Sequence, residues 1–590
     1  MKRKKQGFTL IEVMVGIFIM LIIFIGLFEL IHFTFRVVAQ SKARITATAL
    51  ANQKLELTRN LTYNQVGTLE GIPSGTIPET ETQVRNGITF TVKTTVVYID
   101  DAFDNTYPND PLPTDYKRVR VKVDWGGSIS GDVSLITDVA PKGVENTGGG
   151  GIISVVVFDS QGRPVPQADI HIQNSSSTAP IDAHYQTNDQ GRLFLPGAPA
   201  CGHCYHITAI KDGYTSDRTY SPGEVVNGAT LAHPDNPDVT ILENSLQDVS
   251  LTIDLVSSLY IQTILYAKQQ SWQDDFFDTN KIVTMSQIVA TTSPASMILD
   301  QQGGNYPDSG YLVSQTINPS GLVEWETLTV DANTPSDTTL KYHLLYFQDP
   351  AWVFIPDSDL TINGVKNSDG FTAASLDLKN LNIVKYPQIR LRADLTTADP
   401  SQTPVLDSWQ ITWLSFDTTD PIPNTSLTML GTKTLGTDNT NQPVIKYSQD
   451  NLKTDSNGVL DVSGLEWDTY TLALKSSASY NLANASPVQP FNLDANTNLP
   501  VALKLAGHQN HTLLVTIKDA TGQPIAGADA HLYRVNYDKE RLSFASGQVF
   551  FSPLGQTNYT LDVAASGYQT WSGSINVNGQ NVQVITLTPP

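Results

Sequence analysis

The stretch Lys2-Arg3-Lys4-Lys5-Gln6-Gly7-Phe8-Thr9-Leu10-Ile11-Glu12-Val13 constrains this chain more than any other. Four positive charges precede a glycine, and an apolar run from Phe8 to Phe28 follows, broken only by Glu12. At about 1.5 Å per helical residue such a run can cross a hydrocarbon layer of about 30 Å. The basic cluster is expected to stay cytoplasmic, which places the rest of the chain outside the inner membrane. Glu12 needs a separate reason. A carboxylate inside a membrane helix costs roughly 2.5–3.5 kcal/mol on insertion scales, so it is seldom present without a partner.

Residues Gly7 to Glu12, behind their basic leader, resemble the amino-terminal signal of type IV pilins and type II secretion pseudopilins, without a departure from its pattern. That resemblance implies cleavage between Gly7 and Phe8 by a prepilin peptidase and N-methylation of Phe8. It also implies that Glu12 pairs with the free amine of a neighbouring subunit during filament assembly. Two other readings exist: a signal peptide cut after Val37-Val38-Ala39, or a plain membrane anchor. The apolar run exceeds the usual 7–15-residue core of a signal peptide, and neither reading explains Glu12.

A chain of 590 residues is too long for one core, and its frequent Gly, Pro, Thr, Ser, Asn and Val suit short strands joined by turns. The expected fold class is mainly β and multidomain: a long transmembrane helix, a small antiparallel pilin-like sheet, then a string of β-sandwiches. A formal net charge of −21 repels nucleic acid and anionic lipid headgroups. Only Cys201 and Cys204 are present, so disulfides do not hold the chain together.

Taken in order, residues 1–7 read as leader and 8–61 as one proline-free helix. Ala43, Ala47, Leu50, Leu57 and Leu61 form a stripe along its second half, interrupted at Lys54. Residues 62–145 read as the small β head, with strands at Ile88–Ile99, Tyr116–Trp125 and near Val133–Val139. The glycine run 146–151 reads as a flexible linker. Segment 152–255 carries a strand, a turn and Pro164-Val165-Pro166-Gln167-Ala168, and 507–590 repeats this as Pro524-Ile525-Ala526-Gly527-Ala528. Both resemble carboxypeptidase-regulatory-like or collagen-adhesin B-type (immunoglobulin-like) sandwiches. Residues 417–506 read as a diverged copy that lacks the proline-alanine signature. Residues 256–416 resemble a bacterial jelly-roll sandwich.

The candidate chemistry is thin. Asp100, Asp101, Asp104, Asn105, Asn109 and Asp110 crowd one loop, which reads as a solvated turn or a calcium site without EF-hand spacing. Cys201-Gly202-His203-Cys204 copies a disulfide-isomerase tetrapeptide but lies in a turn rather than at a helix start. A local disulfide is expected there, with free thiols, a metal held with His203 and His206, or redox chemistry as the other readings. Acidic pairs such as Asp274-Asp275 and Glu324/Glu326 carry no glycosidase signal by pairing alone. Trp325, Trp352, Trp409, Trp413, Trp467 and Trp571 are expected mainly in cores, with a sugar-stacking platform as the alternative.

No catalytic or metal residues are assigned, no cofactor is expected, and the chain reads as a non-enzyme. The expected function is a minor pilin or pseudopilin-like envelope protein, seated in the inner membrane and then at the cell surface or in an extracellular filament. Its modules would present adhesion or binding surfaces. The expected partners are the prepilin peptidase, other pilin or pseudopilin subunits, the inner membrane and an extracellular protein or polysaccharide. The alternatives are a membrane-tethered binding protein outside any filament, a type II secretion pseudopilin, or a carbohydrate-active enzyme.

Overall fold

The computed structural model describes residues 10–69, 71–73, 75–102, 114–127, 129–141, 151–174, 181–243, 245–475 and 479–590. Its helix α1 runs from Leu10 to Arg59, and the rest is almost entirely strand and turn. The fold class is therefore mainly β, with one long amino-terminal helix ahead of many β-sheet domains. By length and composition α1 is able to cross a membrane. Its large apolar side chains from Met14 to Val38 are all exposed, which a water-soluble protein would not tolerate over so long a face.

The second half of α1 is different. Ala43, Ala47, Leu50, Ala51 and Leu55 are buried on a four-stranded antiparallel sheet of Thr80–Arg85, Ile88–Ile99, Tyr116–Trp125 and Gly131–Val139. Small residues let the helix approach the sheet closely. Lys54, which interrupts the stripe, pairs with Glu81 at 2.5 Å. Lys117 is buried under the turn that follows the helix, donating to the Tyr63 carbonyl at 3.0 Å and the Val66 carbonyl at 2.7 Å. Burial pulls its pKa down to about 8.

Three copies of one β-module follow, and their hydrogen bonds superimpose residue by residue. In each, the first strand lies parallel to the last. Gly151–Phe158 pairs with Leu246–Thr252, Ser257–Leu265 with Asn498–Gly507, and Thr512–Asp519 with Gln580–Leu587. In each, a residue after a proline donates its N–H back to that first strand: Val165 to Val157, Ile422 to Thr263, and Ile525 to Ile517. A glycine with positive φ then accepts from the same strand residue. Gly191, Gly458 and Gly547 have φ of 68°, 72° and 69°, and their carbonyls take the N–H of Val157, Thr263 and Ile517. An added Cβ would stand 2.5, 2.6 and 2.3 Å from the opposing carbonyl oxygen. Glycine is needed at all three places for both its φ and its lack of bulk.

This topology corrects the reading of 256–416 and 417–506 as consecutive domains. The strand Ser257–Leu265 belongs to the sheet of the later segment, beside Val459–Leu465 and Asn498–Gly507. The middle copy also has its proline signature, Pro421-Ile422-Pro423, on the far side of an insertion. The first hairpin is closed by Asp159 N–H to the Arg163 carbonyl in one module and Asp519 N–H to the Gln523 carbonyl in another. The middle copy closes the same corner with Leu265 N–H to the Asp420 carbonyl, at 2.9 Å. Residues 266–419 thus stand where three residues stand elsewhere.

That insertion is a large sandwich of a six-stranded and a five-stranded sheet. Trp325, Trp409, Phe276, Leu344 and Leu391 are among the side chains filling its interior. Its two ends leave on paired strands, with Lys268 opposite Ser415.

Neighbouring units touch. Ile72 of the head enters the core of the first module and donates its N–H to the Tyr185 hydroxyl. Residues His233–Pro234 of the first module pair with Thr434–Thr437 of the middle one. The insert, the middle module and the last module meet at Tyr266, Val323, Ala483, Leu514 and Phe550. There Arg541 reaches Glu324 at 2.9 Å.

Candidate functional site

The processing positions Gly7 and Phe8 lie outside the described residues. Glu12 stands in the first turn of α1. Of the acidic loop, Asp104, Asn105, Asn109 and Asp110 also lie outside the described residues, as does the linker apart from Gly151. Gly151 itself opens a strand and is buried, because the Leu242 and Ser245 carbonyls leave no room for a side chain.

Cys201 and Cys204 are bonded to each other at the start of the strand Cys201–Ile210. Between them, His203 turns the chain with φ of 49° and donates its N–H to Thr240 Oγ1 at 2.9 Å. No helix begins here, so no helix dipole acts on the sulfurs. His206 does not join the cysteines; its Nδ1 lies 3.0 Å from Asp238 Oδ1.

The acidic residues singled out in the sequence are each held by partners of their own. Asp274 is buried and accepts from Phe276 N–H at 3.0 Å, and burial raises its pKa. Glu324 ties the insert to Arg541 of the last module, whereas Glu326 accepts from Gln269. Among the tryptophans, Trp325 and Trp409 are core, and Trp352 lies under Arg390 with the guanidinium 4.2 Å from its ring.

A cleft that sequence reasoning missed opens between the first and middle modules, with a volume of ≈ 820 Å³. One wall carries Arg218, Tyr220 and Asp238; the other carries Lys433, Lys446, Glu466 and Trp467. Lys433 Nζ lies 3.1 Å over the Trp467 ring and 2.7 Å from Glu466. Burial dominates for Lys433 and lowers its pKa despite that carboxylate. Lys446 is half-buried, yet Glu466 at 2.8 Å and Asp217 at 3.6 Å more than offset that burial and raise its pKa. Burial pushes Asp238 up, but the bonds from His206, Ser221 and Thr219 outweigh it and hold the carboxyl low. Alternating charges around an aromatic plate suit a polar ligand with one apolar face. Only the pairing of distant strands brings these walls together, so no local motif could have announced them.

Residues 2–28 match the prokaryotic N-terminal methylation motif. No curated protein matches the chain by sequence. Among solved structures, the Bacillus anthracis TIE protein is 10% identical, with 87% of this chain and 73% of that one covered and a TM-score of 0.14. BcpA, the major pilin subunit of Bacillus cereus, is 10% identical, with 75% of this chain and 100% of that one covered and a TM-score of 0.13. GBS52, the minor pilin of Streptococcus agalactiae, is 16% identical, with 29% of this chain and 84% of that one covered and a TM-score of 0.13. TM-scores this low describe no common overall superposition.

Proposed function

We propose that this chain is a minor pilin or pseudopilin-type subunit that carries β-modules for binding or adhesion outside the cell. The observation that carries the reading is the methylation motif over residues 2–28, joined to a helix whose large apolar side chains from Met14 to Val38 are exposed. A prepilin peptidase would cut after Gly7 and methylate Phe8. The exposed half of α1 would then move from lipid into a bundle of other pilin subunits, where Glu12 finds the amine it needs. Single-pass insertion in the inner membrane precedes assembly, with the basic leader in the cytoplasm.

The three modules, with their parallel first and last strands, are read as carboxypeptidase-regulatory-like or collagen-adhesin B-type sandwiches, and the insert as a jelly roll. Binding rather than catalysis is the role assigned to them. Such bulk on every subunit would crowd a shaft whose helices stack about 10 Å apart, which favours a sparse position near a tip. Amino-terminal peptide mass analysis of the chain from its native membrane tests the reading. A mature start at methylated Phe8 is expected; a retained leader, or a start at Gln40, overturns it. Gold label on the last module at fibre ends supports the tip position, and label along the shaft contradicts it.

A further inference from the structure

We propose that His171, Asp182 and His184 form a surface site for a divalent first-row transition metal, of the zinc or copper class. His171 and His184 are directly opposed on antiparallel strands Asp169–Asn174 and Ile181–Gln186. Their rings stack at 4.1 Å with an interplanar angle of 5°. The ligand atoms of the two histidines and Asp182 all lie within 4.8 Å of one another. A tetrahedral ion with bonds of about 2.1 Å needs ligands about 3.4 Å apart, so the donors are near enough, but the stacked rings must turn out of parallel to aim their in-plane lone pairs at one ion.

The polar contacts already orient the donors. His171 Nε2 lies 2.6 Å from Asp182 Oδ1, a direct contact that an ion would enter in place of the shared proton. His184 Nδ1 lies 2.7 Å from Asp169 Oδ1, which leaves Nε2 of His184 as its ligating nitrogen. A carboxylate on the far nitrogen of a metal-binding histidine fixes the ring and raises its basicity. The backbone beneath is paired on both sides of His171, with the strands 181–186 and 201–210, so the donors stand on a rigid base. Exposure of 25% for His171, 35% for His184 and 65% for Asp182 admits an ion without unfolding anything. Two imidazoles and one carboxylate select zinc, copper or nickel over calcium and magnesium, which prefer all-oxygen sites. Three protein ligands leave one coordination position facing outward, open to water or to a donor from another molecule. The site is independent of how the chain is anchored or assembled.

The test uses the full chain in detergent, stripped with EDTA and titrated with ZnCl2 by calorimetry. Affinity weakened at least tenfold is expected in His171→Gln and in His184→Gln. Asp169→Asn, which removes the carboxylate beside the His184 ring, should weaken binding about tenfold. Asp182→Asn changes an exposed side chain, cannot threaten folding, and should also weaken binding. His531→Gln, at a separate His–Asp contact, should leave the site unchanged. Co2+ should give a visible absorption band in the wild type that is absent from His171→Gln. Equal Zn2+ binding by wild type and the His171→Gln/His184→Gln double variant, or none by the wild type, overturns the proposal. Unchanged affinity in Asp182→Asn removes the third ligand and overturns it as well.

Discussion

The last module and the middle module are the same fold built under different conditions. In the last, the first hairpin closes over three residues; in the middle one it closes over residues 266–419, with the same backbone bond at the corner. A flexible loop of that length would cost about 3–4 kcal/mol more to close than the short turn. The insert avoids most of that cost because its own sheets hold its ends together, Lys268 beside Ser415 and its ammonium 2.6 Å from Asp420. A β-corner therefore accepts a whole domain when the guest's termini already match the host's spacing.

The largest effect should come from the glycines that both modules share. Gly547→Val and Gly458→Val each drive a side chain into a carbonyl at a positive φ, and each should destabilise its module by about 2–5 kcal/mol. Hydrogen exchange on peptides from 512–519 and 257–265 reads the two losses separately. A mild effect at Gly458 alone would mean that the interrupted module is not held in the common register.

A smaller change is expected when the insert is excised. Replacing residues 265–420 by the sequence of 519–523 should leave exchange protection of 257–264 and 498–507 within about 1 kcal/mol of the parent. A gain of several kcal/mol would show instead that the insert strains its host.

The smallest effect lies at the corner itself. Asp519 Oδ1 accepts from Thr521 N–H and Gln523 N–H, both at 2.8 Å, while the middle copy has Leu265 there. The Thr521 hydroxyl and these amides lower the Asp519 pKa below its ordinary value. A depressed folded pKa contributes stability above the unfolded value of about 3.9, which is lost as pH falls through the folded one. Wild type should thus lose a little protection in the last module below about pH 4, and Asp519→Asn should lose none from this corner. Equal pH profiles for the two would show that the carboxylate does not act through its charge.

Much of this was legible from local pattern. A proline-free apolar run sets α1 because each helical hydrogen bond joins residues four apart, so nothing distant is required. The alternation in Ile88–Ile99 and Tyr116–Trp125 set those strands to the residue, since the pleat repeats every two residues. The proline-alanine repeat marked two of three modules, and cysteines three apart can bond with little help from the fold.

Partnership was the part that tertiary structure decided. Ser257–Leu265 has the pattern of any buried strand, and only its hydrogen bonds assign it across the insertion to Asn498–Gly507. Likewise His171 and His184 read as unrelated surface residues until antiparallel register sets them face to face. The walls of the cleft come from segments more than 180 residues apart, joined where Gly436–Thr437 meets His233–Pro234. Local sequence determines how a segment is shaped because its bonds and alternation are internal. Which segments meet depends on closing loops through the whole chain, and that term leaves no periodic trace in the residues themselves.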